Sequence, residues 1–192
     1  LKIGLTQGII DIDGIRYDRT EHGWYSYLKE HHISTIKNDV SQDFTKIASE
    51  LDCLIVTGGS NSLLRTDVET KLIEQMIQFD KTIIGICQGA FLLTKLFGGS
   101  WINDKLITTT NRYRHMGNNH MVMYKNEEKT VNSYHNLCID KPPKTATVLA
   151  VDIDGYCESW ITGKIAAVVW HPERMEVPWV PEEIENLLKR KI

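Results

Sequence analysis

"TIIGICQGAFL" (Thr82–Leu92) joins two kinds of local pattern with almost nothing between them. Lys81 to Ile86 is β-branched and apolar, as in a short buried strand, and "GAFLLTKLF" (Gly89–Phe97) is a largely apolar helix closed by the glycine pair Gly98 and Gly99. Cys87 stands at the junction. In open α/β sheets, reacting groups collect at the carboxyl ends of strands, where the next turn leads into a helix N-terminus. A sulfur at such a position meets the positive end of the helix dipole, which favours the nucleophilic thiolate. Gly85 and Gly89 permit the tight turn that a nucleophile elbow needs. The competing reading is a small buried hydrophobe, the commoner fate of an intracellular cysteine.

The same strand-then-helix rhythm extends on both sides of this stretch. Lys2 to Thr6 and Leu51 to Thr57 are short strand patterns, the second ending at the turn signal "GGSN". Asp67 to Phe79 sets Val68, Leu72, Ile73, Met76 and Phe79 on one helical face. Parallel neighbours need crossover helices, so the class is α/β, a mostly parallel central sheet with helices on both faces. Between Trp101 and Ile139 the pattern breaks into short alternating pieces, "HMVMY" and "TVNSYHN" among them, expected as hairpins or loops over a sheet edge. Strands follow at Ala146–Val151 and Ile165–Trp170, and Pro181 to Ile192, acids first and bases last, is a closing surface helix. The segment "DIDGIRYDRTEHGWYSYL" (Asp11–Leu28) is expected as a long polar and aromatic loop over the carboxyl end of the sheet.

A length of 192 residues with 42% hydrophobic composition is enough for one core, so a single domain over 1–192 is expected. The net charge of -3 lacks the basic excess that nucleic-acid backbones require. No apolar segment approaches the roughly 20 residues of a membrane span, and no signal pattern opens the chain. The four cysteines are widely spaced, as suits reduced thiols in a cytoplasm, and neither they nor the histidines have zinc-like spacing. No metal or cofactor is expected.

A thiol nucleophile needs a base, and the base an orienting partner. "VVWHPER" (Val168–Arg174) offers both directly after a strand: His171 to move the proton, Glu173 to hold the imidazole in one tautomer, with Pro172 ending the strand between them. "TGGSN" (Thr57–Asn61) is a glycine turn whose freed amides can face a developing oxyanion. Gly59 is the expected donor with the N–H of Gln88, and Gly58 lies alongside the substrate. No Gly-Lys-Ser/Thr ending makes this turn a phosphate loop.

"GGSN", "GICQG" and "HPE", in that order and each after a strand, resemble the class I glutamine amidotransferase-like superfamily, in particular its free-standing γ-glutamyl hydrolases. "VNSYHN" (Val131–Asn136) is similar to the "VNSxHxQ" segment of the γ-glutamyl-γ-aminobutyrate hydrolase branch. The resemblance implies a flavodoxin-like three-layer sandwich and substrate-side roles for Asn132, Ser133, Tyr134 and His135. It also implies attack by Cys87 on the δ-carbonyl of a γ-glutamyl amide, a thioester, and hydrolysis to glutamate. The sequence departs from that branch at Gln88, where Arg is usual, at Phe91, where Gln is usual, and after Asn136, where the Gln is missing. His120, ahead of an alternating strand, is read as structural.

Arg16, Tyr17 and Arg19, with "NRYRH" (Asn111–His115), put guanidinium groups and rings in two expected rim loops, a combination suited to phosphate and to stacking. In size and in these loops the chain resembles the γ-glutamyl-CDP-amidate hydrolases of bacterial capsule phosphoramidate synthesis. Asp11, Asp13, Asp18 and Glu21 in the same early segment would equally receive a cationic polyamine amide. The expected partner is thus a small γ-glutamyl substrate, with neither nucleic acid nor membrane, and a homodimer is allowed. Two alternatives remain open: a glutaminase subunit feeding ammonia to a separate synthetase chain, and a non-catalytic binding module.

Overall fold

The computed structural model describes residues 1–103 and 117–189. Its elements in chain order are β1 (Lys2–Thr6), β2 (Gly8–Ile12), β3 (Ile15–Arg19), α1 (Gly23–Tyr27), β4 (His32–Ile36), α2 (Phe44–Glu50), β5 (Cys53–Val56), α3 (Leu63–Gln78), β6 (Thr82–Ile86), α4 (Gln88–Leu96) and β7 (Ser100–Asn103). They continue with β8 (His120–Tyr124), β9 (Glu127–Val131), β10 (Leu137–Lys141), β11 (Thr147–Asp152), β12 (Cys157–Thr162), β13 (Ile165–Val168), a 3-10 turn at Pro172–Arg174 and α5 (Glu182–Lys189).

The fold is α/β, with a large central sheet flanked by helices. Strands β4, β1, β5, β6 and β13 run parallel in that order. Beyond β13 the sheet continues antiparallel through β12, β11, β8 and β9, with β10 and β7 branching from β12. Alternation along each parallel strand sorts the core into two layers. Ile3, Leu5, Cys53, Ile55, Ile84, Ile86 and Val168 meet Trp24, Leu28, Ile184 and Leu187 on one face. Leu54, Val56, Ile83, Ala167 and Val169 meet Ala48, Val68, Leu72, Met76 and Leu93 on the other. Each fully buried Leu or Ile contributes about 1.5–3 kcal/mol.

Helix α3 starts four residues before the expected Asp67, because the Ser62 hydroxyl accepts from the Arg65 amide at 3.2 Å and caps the helix there. The expected loop at Asp11–Leu28 is corrected: it contains most of the β2–β3 hairpin, turned by Asp13 and Gly14 at positive φ, and then α1. An Asp-Gly pair between alternating residues is a hairpin signal that the polar composition had outweighed. Strands β4 and β12 were not foreseen, since "HISTI" is largely exposed at the sheet edge and "CESWIT" buries Glu158 and Ser159 rather than an apolar run. Among the described residues no helix is long and apolar enough to cross a membrane.

Candidate active site

Cys87 occupies the single-residue corner between β6 and α4. Its backbone sits at φ 50 and ψ -104, a left-handed conformation that costs a non-glycine residue about 1–3 kcal/mol. Three features hold it there. The Cys87 amide donates to the Val168 carbonyl of the neighbouring strand at 2.8 Å, and its carbonyl accepts from the Phe91 amide at 3.1 Å. On either side, the backbone is packed too closely for any side chain: a Cβ on Gly85 would lie 2.5 Å from the Gly89 carbonyl oxygen, and one on Gly89 would lie 2.0 Å from that of Val56. The strand–Cys–helix stretch can therefore pack only with glycine at both flanks.

β13 is the parallel neighbour of β6, with Val168 opposite Ile86, so the residues after both strands emerge side by side. His171 is buried there, and its Nδ1 lies 2.6 Å from Glu173 Oε1. A carboxylate accepts, so Nδ1 carries the proton and Nε2 is the face left for the sulfur. Gly58 measures the approach: a Cβ on it would come within 2.4 Å of His171 Cε1, 3.2 Å of His171 Nε2 and 3.3 Å of Cys87 Cβ. Cysteine, histidine and glycine turn thus meet around one point. Burial alone would lower the His171 pKa; hydrogen bonds and charge attraction from Cys87 and Glu173 outweigh it and raise the pKa to about 9.

The residues around the ring fix it further. Asn132 bonds the His171 backbone at both ends, its Nδ2 donating to the carbonyl at 2.7 Å and its Oδ1 accepting from the amide at 2.8 Å. The half-exposed Tyr134 sets its ring edge-on to His171 at 5.5 Å, and the Arg174 guanidinium lies 4.5 Å over that tyrosine ring. Arg174 also makes a two-pronged ion pair with Glu21, at 2.8 and 2.6 Å, which holds the Glu21 carboxyl below its usual range. A Cβ on Gly23 would fall 2.2 Å from the Glu173 carbonyl oxygen, so the start of α1 is braced against the loop bearing Glu173.

Sequence reading missed the device that shapes the glycine turn. Arg65 is fully buried, donating to the carbonyls of Thr57, Gly58 and Ser60 and to Glu69. Glu69 also accepts from Thr6 at 2.8 Å, and burial, partly offset by Arg65 and Thr6, raises its pKa. In a trans peptide the carbonyl and the following amide point in opposite directions. With the Thr57 and Gly58 carbonyls turned to Arg65, the amides of Gly58 and Gly59 point away from it, the geometry an oxyanion donor requires; Gly59, at φ 117, takes a conformation suited to glycine. The signal was present in the letters: Arg65 and Glu69 lie four apart on the same helical stripe as Val68, Leu72 and Met76, where charge has no bland explanation.

The remaining candidates divide. Gln88 opens α4 beside Cys87. Ser133 and His135 are buried; the Ser133 carbonyl accepts from the Gly117 amide, and His135 Nδ1 lies 2.8 Å from the Leu137 carbonyl oxygen. Arg16, Tyr17 and Arg19 belong to the β2–β3 hairpin, where Arg16 pairs with Asp11 across the turn at 3.4 Å. Of these three, Arg19 lines a cleft with Gly8, Thr20, Glu21, Trp24 and Gly58 next to the site. A wider cavity of about 500 Å³ opens beside Asn132, Tyr134 and Arg174, with Lys129 and Trp179 on its walls. Asn111–His115 lies outside the described residues.

The chain resembles known proteins over most of its length. It is 24% identical to the glutamine amidotransferase-like protein YvdE of Lactococcus lactis subsp. lactis (strain IL1403), covering 86% of this chain and 90% of that protein. It is 25% identical to the glutamine-hydrolysing GMP synthase of Pyrobaculum aerophilum over 73% of this chain, but spans only 28% of that longer protein. In structure it superposes on a GMP synthase subunit from Thermoplasma acidophilum with a TM-score of 0.71 at 21% identity, covering 98% of this chain and 92% of the other. The model of the family described as glutamine amidotransferase class-I matches residues 17–190. With nearly the whole chain matched, this protein belongs to the class-I glutamine amidotransferase family.

Proposed function

We propose that this protein is a γ-glutamyl amide hydrolase in which Cys87, His171 and Glu173 form the catalytic triad. The observation that carries the reading is the meeting of Cys87 and His171 against Gly58, with Glu173 2.6 Å behind the imidazole. Cys87 gives its thiol proton to His171 Nε2 and the sulfur attacks the δ-carbonyl carbon, while the carbonyl electrons move to an oxyanion facing the amides of Gly59 and Gln88. His171 gives its proton to the departing nitrogen as the C–N bond breaks, leaving a γ-glutamyl thioester. A water then loses its proton to His171 and attacks the thioester carbon, and the sulfur leaves with glutamate released. Glu173 balances the charge of the imidazolium each time His171 holds the extra proton. Tyr134, exposed beside the ring on the wall of the cavity of about 500 Å³, is the substrate-side residue, while Asn132 holds His171.

For the leaving group, the cavity beside the site, lined by Tyr134, Trp179, Lys129 and Arg174 together with Glu176, supports a ring-bearing compound, of which γ-glutamyl-CDP-amidate is one. A second reading, a glutaminase subunit supplying ammonia to a separate synthetase, is favoured by the likeness to GMP synthases. Glutamate release by the isolated protein separates them. The panel should hold glutamine, γ-glutamyl polyamines and γ-glutamyl nucleotide amidates. Efficient turnover of a substituted amide with weak glutamine turnover supports the hydrolase; glutamine as the best substrate supports the glutaminase reading. Failure of every compound to acylate Cys87, followed by intact-protein mass spectrometry, refutes both.

A further inference from the structure

Behind the candidate substrate wall, three ligand-capable side chains from separate parts of the chain converge in the interior. His120 begins β8, His135 follows β9, and Glu158 lies on β12. Their side chains are at most 7% exposed, and one ligand atom from each falls within 4.8 Å of the others. The sequence spacing gave no hint of this, because the antiparallel extension of the sheet makes the assembly: β8 and β12 both pair with β11.

The local chemistry favours a cation at the centre. His135 Nδ1 lies 2.8 Å from the Leu137 carbonyl oxygen, which can only accept, so Nδ1 bears a proton and Nε2 is the nitrogen that faces the cluster. His135 Nε2 lies 3.8 Å from Glu158 Oε1, and His120 Nε2 lies 3.5 Å from Glu158 Oε2. Both separations exceed the roughly 2.7–3.2 Å of an N–H···O hydrogen bond. They suit ligands sharing a metal at about 2.0–2.2 Å, whose tetrahedral edges run somewhat above 3 Å. An imidazole whose outer nitrogen is tied to a backbone carbonyl is also the usual arrangement of a metal-binding histidine.

We propose that His120, His135 and Glu158 bind one divalent transition metal ion, with zinc the best match to a two-imidazole, one-carboxylate donor set. The ion joins the segment that carries Asn132 and Tyr134 to β8 and β12, as a structural pin outside the Cys87 chemistry. This assignment is independent of the substrate reading.

The test uses full-length protein purified without a histidine tag. Elemental analysis is expected to find close to one zinc per chain, and stripping with a chelator to lower the melting temperature, with recovery on adding zinc alone. In a Cys87→Ala background, which removes the candidate nucleophile as a competing thiol, stripped protein titrated with cobalt(II) should develop visible ligand-field absorption saturating at one equivalent. His120→Gln, at the rim of the cluster, should lose that band while keeping its far-ultraviolet circular dichroism. Purified protein without stoichiometric metal that also gives no cobalt band overturns the proposal, and so does a cobalt band undiminished in His120→Gln.

Discussion

Replacing Gly58 by alanine adds one methyl group at the point where the candidate triad meets. The Gly58 backbone does not require glycine through its φ, which lies outside the left-handed region, so the variant probes space alone. The new Cβ would stand 2.4 Å from His171 Cε1, and ordinary contact begins at 3.4 Å, so the ring or the turn must give way by about 1 Å. The ring is held from behind by Glu173 at 2.6 Å and through its backbone by Asn132, which leaves little room for a compensating move. A displacement of about 1 Å at a reacting group costs on the order of 100-fold in rate. The assay is steady-state glutamate release, with circular dichroism and melting temperature as controls. The expected result is kcat down by roughly two orders of magnitude with a folded protein and a much smaller change in KM. Gly58→Ala turning over at the wild-type rate would refute the placement of His171 against Cys87 and, with it, the reaction scheme.

Asn132→Ala leaves the buried amide and carbonyl of His171 without their side-chain partners, at a cost of about 1–3 kcal/mol for each orphaned group, and should lower both stability and kcat; denaturant unfolding together with kinetics checks it. Arg65→Leu strands the buried Glu69 carboxyl and frees the carbonyls of the glycine turn, so a loss of about 3–5 kcal/mol is expected, read as a fall in the denaturation midpoint. Because the His171 pKa is raised from 6.5 to about 9, the stability that its protonated form contributes is fully present below pH 6.5 and disappears as pH rises through 9. Unfolding free energies measured from pH 6 to 10 should therefore show the decline, and Cys87→Ala, which removes one of the groups raising that pKa, should shift the His171 NMR titration downward. An unchanged titration would show that the sulfur does not interact with the ring.

In the parallel half of the sheet, β1, β5, β6 and β13 were legible as short buried runs and α3 and α4 by their apolar faces, whereas the largely exposed β4 at the edge was not. The early segment misled because exposed Ile12, Ile15 and Tyr17 alternate with charges, a pattern that composition alone reads as loop while its Asp-Gly pair closes a hairpin. Asn132, singled out by resemblance for the substrate side, lines the cavity beside Tyr134 and also bonds the His171 amide and carbonyl through its own side-chain amide. A side chain's chemical type is visible in sequence; the distant backbone it bonds is not.

Local sequence determined that a strand gives way to a helix at Cys87 and that His171 and Glu173 share one short turn, since each of these depends on residues within a few positions of one another. Tertiary structure alone decided which strand ends are neighbours: β6 beside β13 brings Cys87 to His171, Arg65 reaches back to draw the carbonyls of Thr57 and Gly58 toward itself, and the antiparallel extension gathers His120, His135 and Glu158. The physical reason is that sheet pairing and burial act between segments far apart along the chain, so they set distances that no spacing of letters encodes.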